Sequence, residues 1–132
     1  MEYIDKLAWI EIKNGKVLST KSFGKIKYYL PGGKREKGET DQEALIREIQ
    51  EELSVVLEPE SISYVGTFEA QADGHPEGIK VKMTCYYASY AGEIKANSEI
   101  ESVEWLNYSD KHKTSAVDNI IFDYLNENGL FN

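Results

Sequence analysis

The segment from Thr40 to Leu53 constrains the fold more than any other, because its sequence predicts an amphipathic helix with a defined start. Thr40 and Glu43 have the T-x-x-E spacing of a capping box, in which each side chain accepts a hydrogen bond from the other residue's backbone amide. At 100° per residue, four aliphatic side chains share one face, which we expect to enter a core. These side chains are Leu45, Ile46, Ile49 and Leu53.

A second face of the same helix is acidic, since Glu48, Glu51 and Glu52 lie within one turn. Like charges at these spacings each cost the helix roughly 0.2–0.5 kcal/mol. Anions in the last turn also oppose the helix dipole, by about 0.3–1 kcal/mol. A hard cation such as Mg²⁺ would remove both penalties, because it binds carboxylate oxygens. The pattern therefore indicates a metal site, with a solvated acidic surface as the alternative.

Strand patterns surround this helix. An Asn14-Gly15 turn predicts a β-hairpin that joins Leu7–Ile12 to Val17–Ser19. Residues 80–90 alternate between apolar and polar side chains, which places Val81, Met83, Cys85 and Tyr87 on one face. Four more strands are expected, at 28–30, 55–57, 62–68 and 103–106, and a turn-rich loop at 73–78.

A second helix is predicted near the end of the chain and is expected to stop at Gly129. Its apolar stripe consists of Val117, Ile120, Ile121, Tyr124 and Leu125, at helical spacing. Strands therefore precede and follow the first helix, and a helix comes last. This order predicts an α/β or α+β fold, an α/β/α sandwich with a mixed β-sheet between helices.

Composition limits the classes of function. The net charge is −8, from 23 acidic and 15 basic residues, and such a surface repels nucleic-acid backbone and anionic membrane. The sequence lacks an apolar run near the roughly 20 residues of a membrane span, and its start lacks the features of a signal peptide. At 132 residues we expect one domain, 1–132. The single cysteine, Cys85, suits a reducing compartment, so we expect a cytoplasmic protein.

One segment resembles a known motif. Gly33-x5-Glu39-x7-Arg47-Glu48-Ile49-x-Glu51-Glu52-x-Ser54-Val55 is similar to the Nudix box, G-x5-E-x7-R-E-U-x-E-E-x-G-U, with U a bulky aliphatic residue. Eight of the nine defined positions match over the 23 residues 33–55. The departure is Ser54, where the pattern has glycine. A left-handed residue at a helix end costs serine roughly 1 kcal/mol, so we expect a slightly altered helix exit with the chemistry retained.

The resemblance implies a Nudix hydrolase, MutT-like, that cleaves a diphosphate linkage in a nucleotide. By similarity, Glu48, Glu51 and Glu52 would ligate one or more Mg²⁺, with the Gly33 carbonyl as a further ligand and Mn²⁺ able to substitute. Arg47 would hold these carboxylates in position, and Glu39 would brace the loop or the metal. The implied partner is a small-molecule nucleotide, and a homodimer remains open.

The general base is less defined than the metal ligands. Many relatives use a glutamate outside the box, and residues 97–105 are similar to that region. Glu99 is the first candidate and Glu101 the second, while Glu48 is the competitor inside the box. The alternative is that the acids at 99 and 101 only solubilise a loop before a strand.

Substrate preference rests on weaker signals. Extra motifs that accompany activity on NADH, coenzyme A or ADP-ribose are not found, which favours cleavage of a nucleoside triphosphate to a monophosphate and pyrophosphate. Lys34 and Arg35 are candidates for phosphate contact, and aromatic side chains could stack on a base. These aromatic candidates are Tyr28 and Tyr86, with Tyr90 and Phe68 behind them, and strand packing is the alternative for each. His75 and His112 have no assigned role.

Two other functions stay open. One is a nucleotide-sensing module without catalysis, although such domains typically lose box carboxylates and here all are present. The other is hydrolysis of a diphosphate that is not a nucleotide, by the same metal site. Turnover of a substrate panel separates these possibilities.

Overall fold

The computed structural model describes residues 3–132, so Met1 and Glu2, the start of the segment inspected for a signal peptide, lie outside it. Within those residues, nine strands, two α-helices and two short 3-10 helices follow one another. In chain order they are β1 (Tyr3–Trp9), β2 (Ile12–Lys13), β3 (Lys16–Ser22), β4 (Gly32–Gly33), α1 (Asp41–Leu53), β5 (Val56–Leu57), a 3-10 helix (Pro59–Ser61), β6 (Ser63–Gln71), β7 (Lys80–Tyr87), β8 (Tyr90–Ala91), β9 (Ile100–Leu106), a 3-10 helix (Tyr108–Lys113) and α2 (Ala116–Glu127). Neither α-helix of this region is both long and apolar enough to cross a membrane.

The strands form three hydrogen-bonded groups. The largest is a four-stranded mixed sheet in the order β4-β1-β7-β6, in which β1 and β7 run parallel and the other pairs are antiparallel. A three-stranded antiparallel sheet has the order β2-β3-β9. The two short strands β5 and β8 pair with each other.

Alternation along β1 divides the core into two parts. Leu7 and Trp9 pack in one cluster with the apolar face of α1, while Ile4 and Ala8 pack in the other with the buried residues of α2. Since successive strand residues point to opposite sides of a sheet, α1 and α2 cover opposite faces of the mixed sheet. The predicted fold class, a mixed sheet between helices, is confirmed.

The predicted hairpin is correct at its turn and wrong in its first strand. Asn14 and Gly15 both have positive φ, 55° and 71°, as a two-residue turn between twisted strands requires. Only Ile12 and Lys13 pair with β3, however. Residues Tyr3–Trp9 pair instead with β7, more than seventy positions away. That pairing is long-range and parallel, so a local turn signal contains no information about it.

Two other sequence expectations need correction. The segment 28–30 is not a named strand, and only isolated bridges occur there, Thr20 with Tyr29 and Tyr28 with Thr114. In α2, Ile120 belongs to the predicted apolar stripe but is 41% exposed, whereas Phe122 is fully buried. The reason is that α2 is covered on one side by β6 and on another by the carboxyl-terminal Phe131, which contacts the ring of Phe122.

Helix α1 begins and ends as its sequence predicts. The Thr40 hydroxyl accepts a hydrogen bond from the Glu43 amide at 3.1 Å, and the Glu43 carboxylate accepts one from the Thr40 amide at 3.0 Å. Ser54 ends the helix in the left-handed conformation, with φ 63° and ψ 21°. The serine thus takes the conformation that glycine would take, so the expected change in the helix exit does not occur.

This conformation gives the first prediction. Ser54→Gly is expected to raise the free energy of unfolding by about 1 kcal/mol, because glycine has no Cβ to clash in the left-handed region. Urea unfolding of the two proteins measures the difference. Ser54→Ala keeps the Cβ and serves as the control that should not stabilise. A glycine variant no more stable than the parent would contradict the assigned conformation.

Candidate active site

Two consecutive glycines set the geometry of the site. Gly33 and Gly32 in β4 pair with Leu7 and Ala8 of β1. Gly32 has a φ of +151°, and a Cβ there would collide with the Leu7 carbonyl oxygen. A Cβ on Gly33 would collide with the carboxylate of Glu48. A side chain is therefore excluded at Gly32 by backbone atoms, whereas one at Gly33 would displace the Glu48 carboxylate, because the Gly33 backbone lies directly against it.

Glu52 is the most deeply placed of the three box glutamates, with 6% of its surface exposed. Its Oε1 accepts a hydrogen bond from the Gly32 amide at 3.2 Å. Burial is the largest influence on its pKa and raises it to about 8, with a smaller increase from the nearby charges of Glu99 and Glu48. Among residues 3–132, the Glu52 carboxylate forms no ion pair.

Glu48 lies one helical turn away and is also largely covered, with 16% of its side chain exposed. Arg47 donates a hydrogen bond to Glu48 Oε1 at 2.9 Å. Burial nevertheless raises the pKa of Glu48 above its ordinary value, because it outweighs that hydrogen bond, and Glu51 and Glu99 act in the same direction. Both inner glutamates thus hold their protons to a higher pH than an exposed glutamate does.

Glu51 is placed differently from its two neighbours. Its side chain is 55% exposed, and its nearest cationic group is Arg47 at 3.6 Å. Within residues 3–132, no group of three or more acidic, histidine or cysteine side chains lies close enough together to hold a metal ion. The sequence predicts a cluster of all three glutamates, whereas in the folded chain Glu48 and Glu52 line the same cavity and Glu51 is largely exposed outside it.

Arg47 connects the loop before α1 to this pair of carboxylates. Its guanidinium donates two hydrogen bonds to Glu39, at 2.8 and 2.9 Å, and a third to the Lys34 carbonyl oxygen at 3.1 Å. The hydrogen bonds from Arg47 and from the Glu36 amide lower the pKa of Glu39 to about 2. A bidentate pair of this kind fixes orientation, so Arg47 and Glu39 hold the loop against the helix.

A cavity of about 480 Å³ opens beside these groups, within the size range of small-molecule sites. Glu48, Glu52 and Glu99 line one end of it, together with Gly32 and Gly33. Apolar side chains of β1 and β7 also line the cavity, as do polar side chains from other segments. The apolar group includes Ile4, Val81 and Met83, and the polar group includes Tyr29, Gln71, Asp73 and His75.

The candidates for a general base are separated by their positions. Glu99 lines the cavity and is close enough to raise the pKa values of Glu48 and Glu52. Glu101 is an ion-pair partner of Lys21 and does not line the cavity. Of these two candidates outside the box, Glu99 lines the cavity and Glu101 does not, while the role of general base stays a prediction.

The predicted substrate contacts divide in the same way. Lys34 lines the cavity, whereas Arg35 forms ion pairs with Asp5 and Asp41 outside it. The Tyr86 hydroxyl donates to Asp41 at 2.7 Å, which directs this ring towards α1. Arg35 and Tyr86 are therefore engaged away from the cavity.

The remaining aromatic candidates are also outside the cavity. Tyr28 packs on the core beneath α2, with its hydroxyl 3.4 Å from that of Ser102, while Tyr90 stacks edge-on against Trp9 and Phe68 against Tyr124. Tyr29, the next residue in the chain, lines the cavity instead. Adjacent residues of an extended segment point in opposite directions. Tyr29, and not Tyr28, is therefore placed where an aromatic ring could stack on a ligand in the cavity.

Two cavity residues have no role in the sequence-based hypothesis. His75 lies in a polar loop, and its spacing from other residues contains no signal for a binding role. Lys6 has a signal, since it is the one charged residue in the alternating row Ile4, Lys6, Ala8 and Ile10. A charge in the middle of an apolar strand face is unusual enough to mark a functional position.

The donor set at the acidic end fits a hard divalent cation. Glu48 and Glu52 supply carboxylate oxygens, and the exposed backbone of Gly33 supplies a carbonyl, which are oxygen ligands that Mg²⁺ accepts. Two adjacent covered carboxylates with raised pKa values need positive charge to remain ionised together. The same end of the cavity could then neutralise phosphate oxygens beside an available base, Glu99.

Comparison with known proteins places these features in a family context. Residues 7–123 match the model of the NUDIX domain family. The ADP-ribose pyrophosphatase of Methanocaldococcus jannaschii is 32% identical over 99 residues, which cover 74% of this chain and 57% of that protein. The uncharacterised Nudix hydrolase YvcI of Bacillus subtilis is 30% identical over 80 residues, 61% of this chain and 51% of that protein. The chain thus spans about half the length of these curated relatives.

A solved structure agrees on the fold. The crystal structure of a MutT NUDIX hydrolase from Burkholderia pseudomallei superimposes with a TM-score of 0.77. The superposition covers 93% of this chain and 98% of that one at 21% sequence identity. At this identity the likeness shows a shared arrangement of strands and helices.

Proposed function

Because the chain belongs to the NUDIX domain family, we propose that it hydrolyses a diphosphate linkage in a nucleoside diphosphate derivative and uses Mg²⁺ to do so. Nudix hydrolases generally use divalent metal ions. The observation that carries the proposal is the covered pair Glu48 and Glu52, against the Gly33 backbone, at one end of a nucleotide-sized cavity.

Each residue of this site has a defined task in the proposal. Glu48, Glu52 and the Gly33 carbonyl would hold the ion, and Glu51 would complete the set if its side chain turned inward. When bound, Mg²⁺ neutralises phosphate oxygens and makes water more acidic. Arg47 fixes the Glu48 carboxylate through its hydrogen bond at 2.9 Å. Glu99 accepts the proton of the water that attacks phosphorus, because it lines the cavity beside the two inner glutamates.

The first substrate candidate is a nucleoside triphosphate, cleaved to a monophosphate and pyrophosphate. The chain lacks the flanking motifs of more specialised subgroups, which supports this choice. ADP-ribose is the second candidate, because a relative with that activity in its name is 32% identical over three quarters of the chain. A nucleotide sensor without turnover and a hydrolase of non-nucleotide diphosphates are the alternatives.

A substrate panel tests the proposal directly. The protein is incubated with Mg²⁺ and nucleoside triphosphates, ADP-ribose, isoprenoid diphosphates and inositol polyphosphates, and phosphate, pyrophosphate and nucleotide products are measured. We expect release of a nucleoside monophosphate that disappears in EDTA. Tight nucleotide binding without turnover would favour the sensor. Turnover only of non-nucleotide diphosphates would favour the other alternative.

The role of Glu99 gives a second prediction. Glu99→Gln is expected to lower kcat by roughly 10²–10⁴-fold, the usual contribution of a general base. Glu101→Gln is the matched control, because Glu101 pairs with Lys21 outside the cavity. Its kcat should change by less than about threefold. Full activity in Glu99→Gln would transfer the role to Glu48.

Cellular setting and assembly are further proposals. The buried free thiol of Cys85 is compatible with the reducing cytoplasm. We propose a cytoplasmic enzyme with one catalytic domain over 1–132, acting on a small-molecule nucleotide and not on nucleic acid or membrane. Light scattering after gel filtration distinguishes a monomer from a homodimer.

A further inference from the structure

Lys6 occupies a position on β1 that packing alone would give to an aliphatic residue. The side chains of Ile4, Ala8 and Ile10 on the same face of the chain pack in the core beneath α2. The facing residues on β7, Val81 and Met83, are also buried there, and Lys6 is directly paired with Met83 in the sheet register. The lysine is therefore surrounded by apolar neighbours along its stem.

The ammonium of Lys6 has no partner among residues 3–132. Burial is the largest influence on its pKa and lowers it, and the other influences are distant charges, without any hydrogen bond. Lys21, Lys27, Lys111 and Lys113, by contrast, all pair with carboxylates. A half-buried lysine without a carboxylate partner is less favourable at this position than an apolar residue, and its ammonium stays available to a ligand.

The position of this charge in the cavity indicates the kind of ligand. Lys6 lines the cavity and is close enough to Glu52 on one side and Asp118 on the other for both to raise its pKa. Asp118 is itself fully buried, and one of its carboxylate oxygens accepts a hydrogen bond from the Leu30 amide at 2.9 Å. Lys6 thus shares the cavity with the glutamates and with Tyr29, and it is near enough to both buried carboxylates to interact with them.

We propose that the Lys6 ammonium binds the phosphate group that links the nucleoside to the rest of the substrate. This inference rests on the proposed function, and it adds a residue and a direction of binding. The outer phosphates face Glu48 and Glu52, the linking phosphate meets Lys6, and the uncharged part of the substrate extends towards Tyr29, Gln71 and His75. Lys6 neutralises the phosphate on the side of the bond that lies away from the metal.

If Lys6 serves binding at the expense of stability, its replacement should raise stability and lower affinity for phosphate. These two effects have opposite signs and are measured separately. Methionine has nearly the length of lysine without its charge, so Lys6→Met should pack against Val81 and Met83 and raise the midpoint of thermal unfolding. The same variant should bind phosphate ligands more weakly. A lysine with only a structural role would lose stability on this change and leave affinity unaltered.

The experiment measures binding of the common nucleoside monophosphates, which contain this linking phosphate, by calorimetry in the presence of Mg²⁺, for the parent protein, Lys6→Met and Lys6→Arg. We expect about 10- to 100-fold weaker binding for Lys6→Met, the usual effect of removing a hydrogen bond to a charged group. Lys6→Arg keeps the charge and should restore most of the affinity. Lys82→Met is the matched control, because Lys82 is exposed on the opposite face of β7.

Kinetics with any substrate found in the panel complete the test. Lys6→Met should raise KM by a similar factor with a much smaller change in kcat. Equal nucleoside monophosphate affinity in the parent and Lys6→Met, or no binding by the parent, would overturn the role of Lys6. If the panel yields no turnover at all, the proposed function fails, while the nucleoside monophosphate comparison still decides the inference about Lys6.

Discussion

Replacing Glu52 with glutamine is expected to reduce Mg²⁺-dependent hydrolysis by at least about 100-fold, since loss of a group that only supports a metal ligand already costs about 10–100-fold. Glu52 is the most covered carboxylate of the site, and its charge is the one most in need of a cation. The amide that replaces it keeps the acceptor for the Gly32 N–H but provides no charge. Mg²⁺ affinity should therefore fall together with turnover.

The same variant should be at least as stable as the parent in EDTA, because it removes a carboxylate that is repelled by Glu48 and Glu99. Calorimetric Mg²⁺ titration, turnover and urea unfolding of the parent and Glu52→Gln measure the three effects. Glu104→Gln, at an exposed position of β9, is the matched control and should alter none of them. Unchanged Mg²⁺ affinity in Glu52→Gln would remove Glu52 from the proposed ligands.

The second large effect concerns pH. In EDTA, the free energy of unfolding should fall as the pH rises from about 4.5 to about 8. The unfolded chain releases the Glu52 proton near 4.5, whereas the folded protein holds it up to a pKa of about 8. In that interval the folded state binds more protons, so a rise in pH favours unfolding, by roughly 3–5 kcal/mol in total for this group. Asp118, with a pKa of about 7, contributes in the same direction.

Urea unfolding at a series of pH values in EDTA measures this slope. Glu52→Gln should reduce the fall in the free energy of unfolding over the interval up to about pH 8. Asp118→Asn should reduce it independently over the interval up to about pH 7. Saturating Mg²⁺ should cancel the part due to Glu52, because the ion favours the ionised form in the folded protein. A stability that rises between pH 5 and pH 8 in EDTA would contradict the proposed burial of Glu52.

Much of this site could be predicted from sequence because its determinants are local. The capping box of Thr40 and Glu43 fixes where α1 begins, and helical periodicity then fixes which side Glu48 and Glu52 occupy. The Gly32-Gly33 pair lies a few residues before that helix. The position of the loop against Glu48 follows from the same short segment.

Other features depend on contacts between distant segments, which periodicity does not specify. The parallel pairing of β1 with β7 places Lys6 in the lining of the cavity, and nothing within ten residues of Lys6 indicates that partner. Glu51 and Glu52 are adjacent in sequence, yet one is 55% exposed and the other 6%, because only Glu52 is covered by β4 and β1. Tyr29 lines the cavity and Tyr28 does not, because neighbouring residues of an extended segment face opposite sides. An error of one residue in the predicted register therefore exchanges the two side chains.

The most direct test of the central claim is a crystal structure of the parent protein grown with MnCl₂, in which anomalous scattering locates the ion. The account predicts a Mn²⁺ ion bound by the carboxylates of Glu48 and Glu52 and by the Gly33 carbonyl oxygen, with Glu51 turned inward. An ion found elsewhere, or saturating Mn²⁺ that leaves both inner carboxylates without a metal, would contradict it.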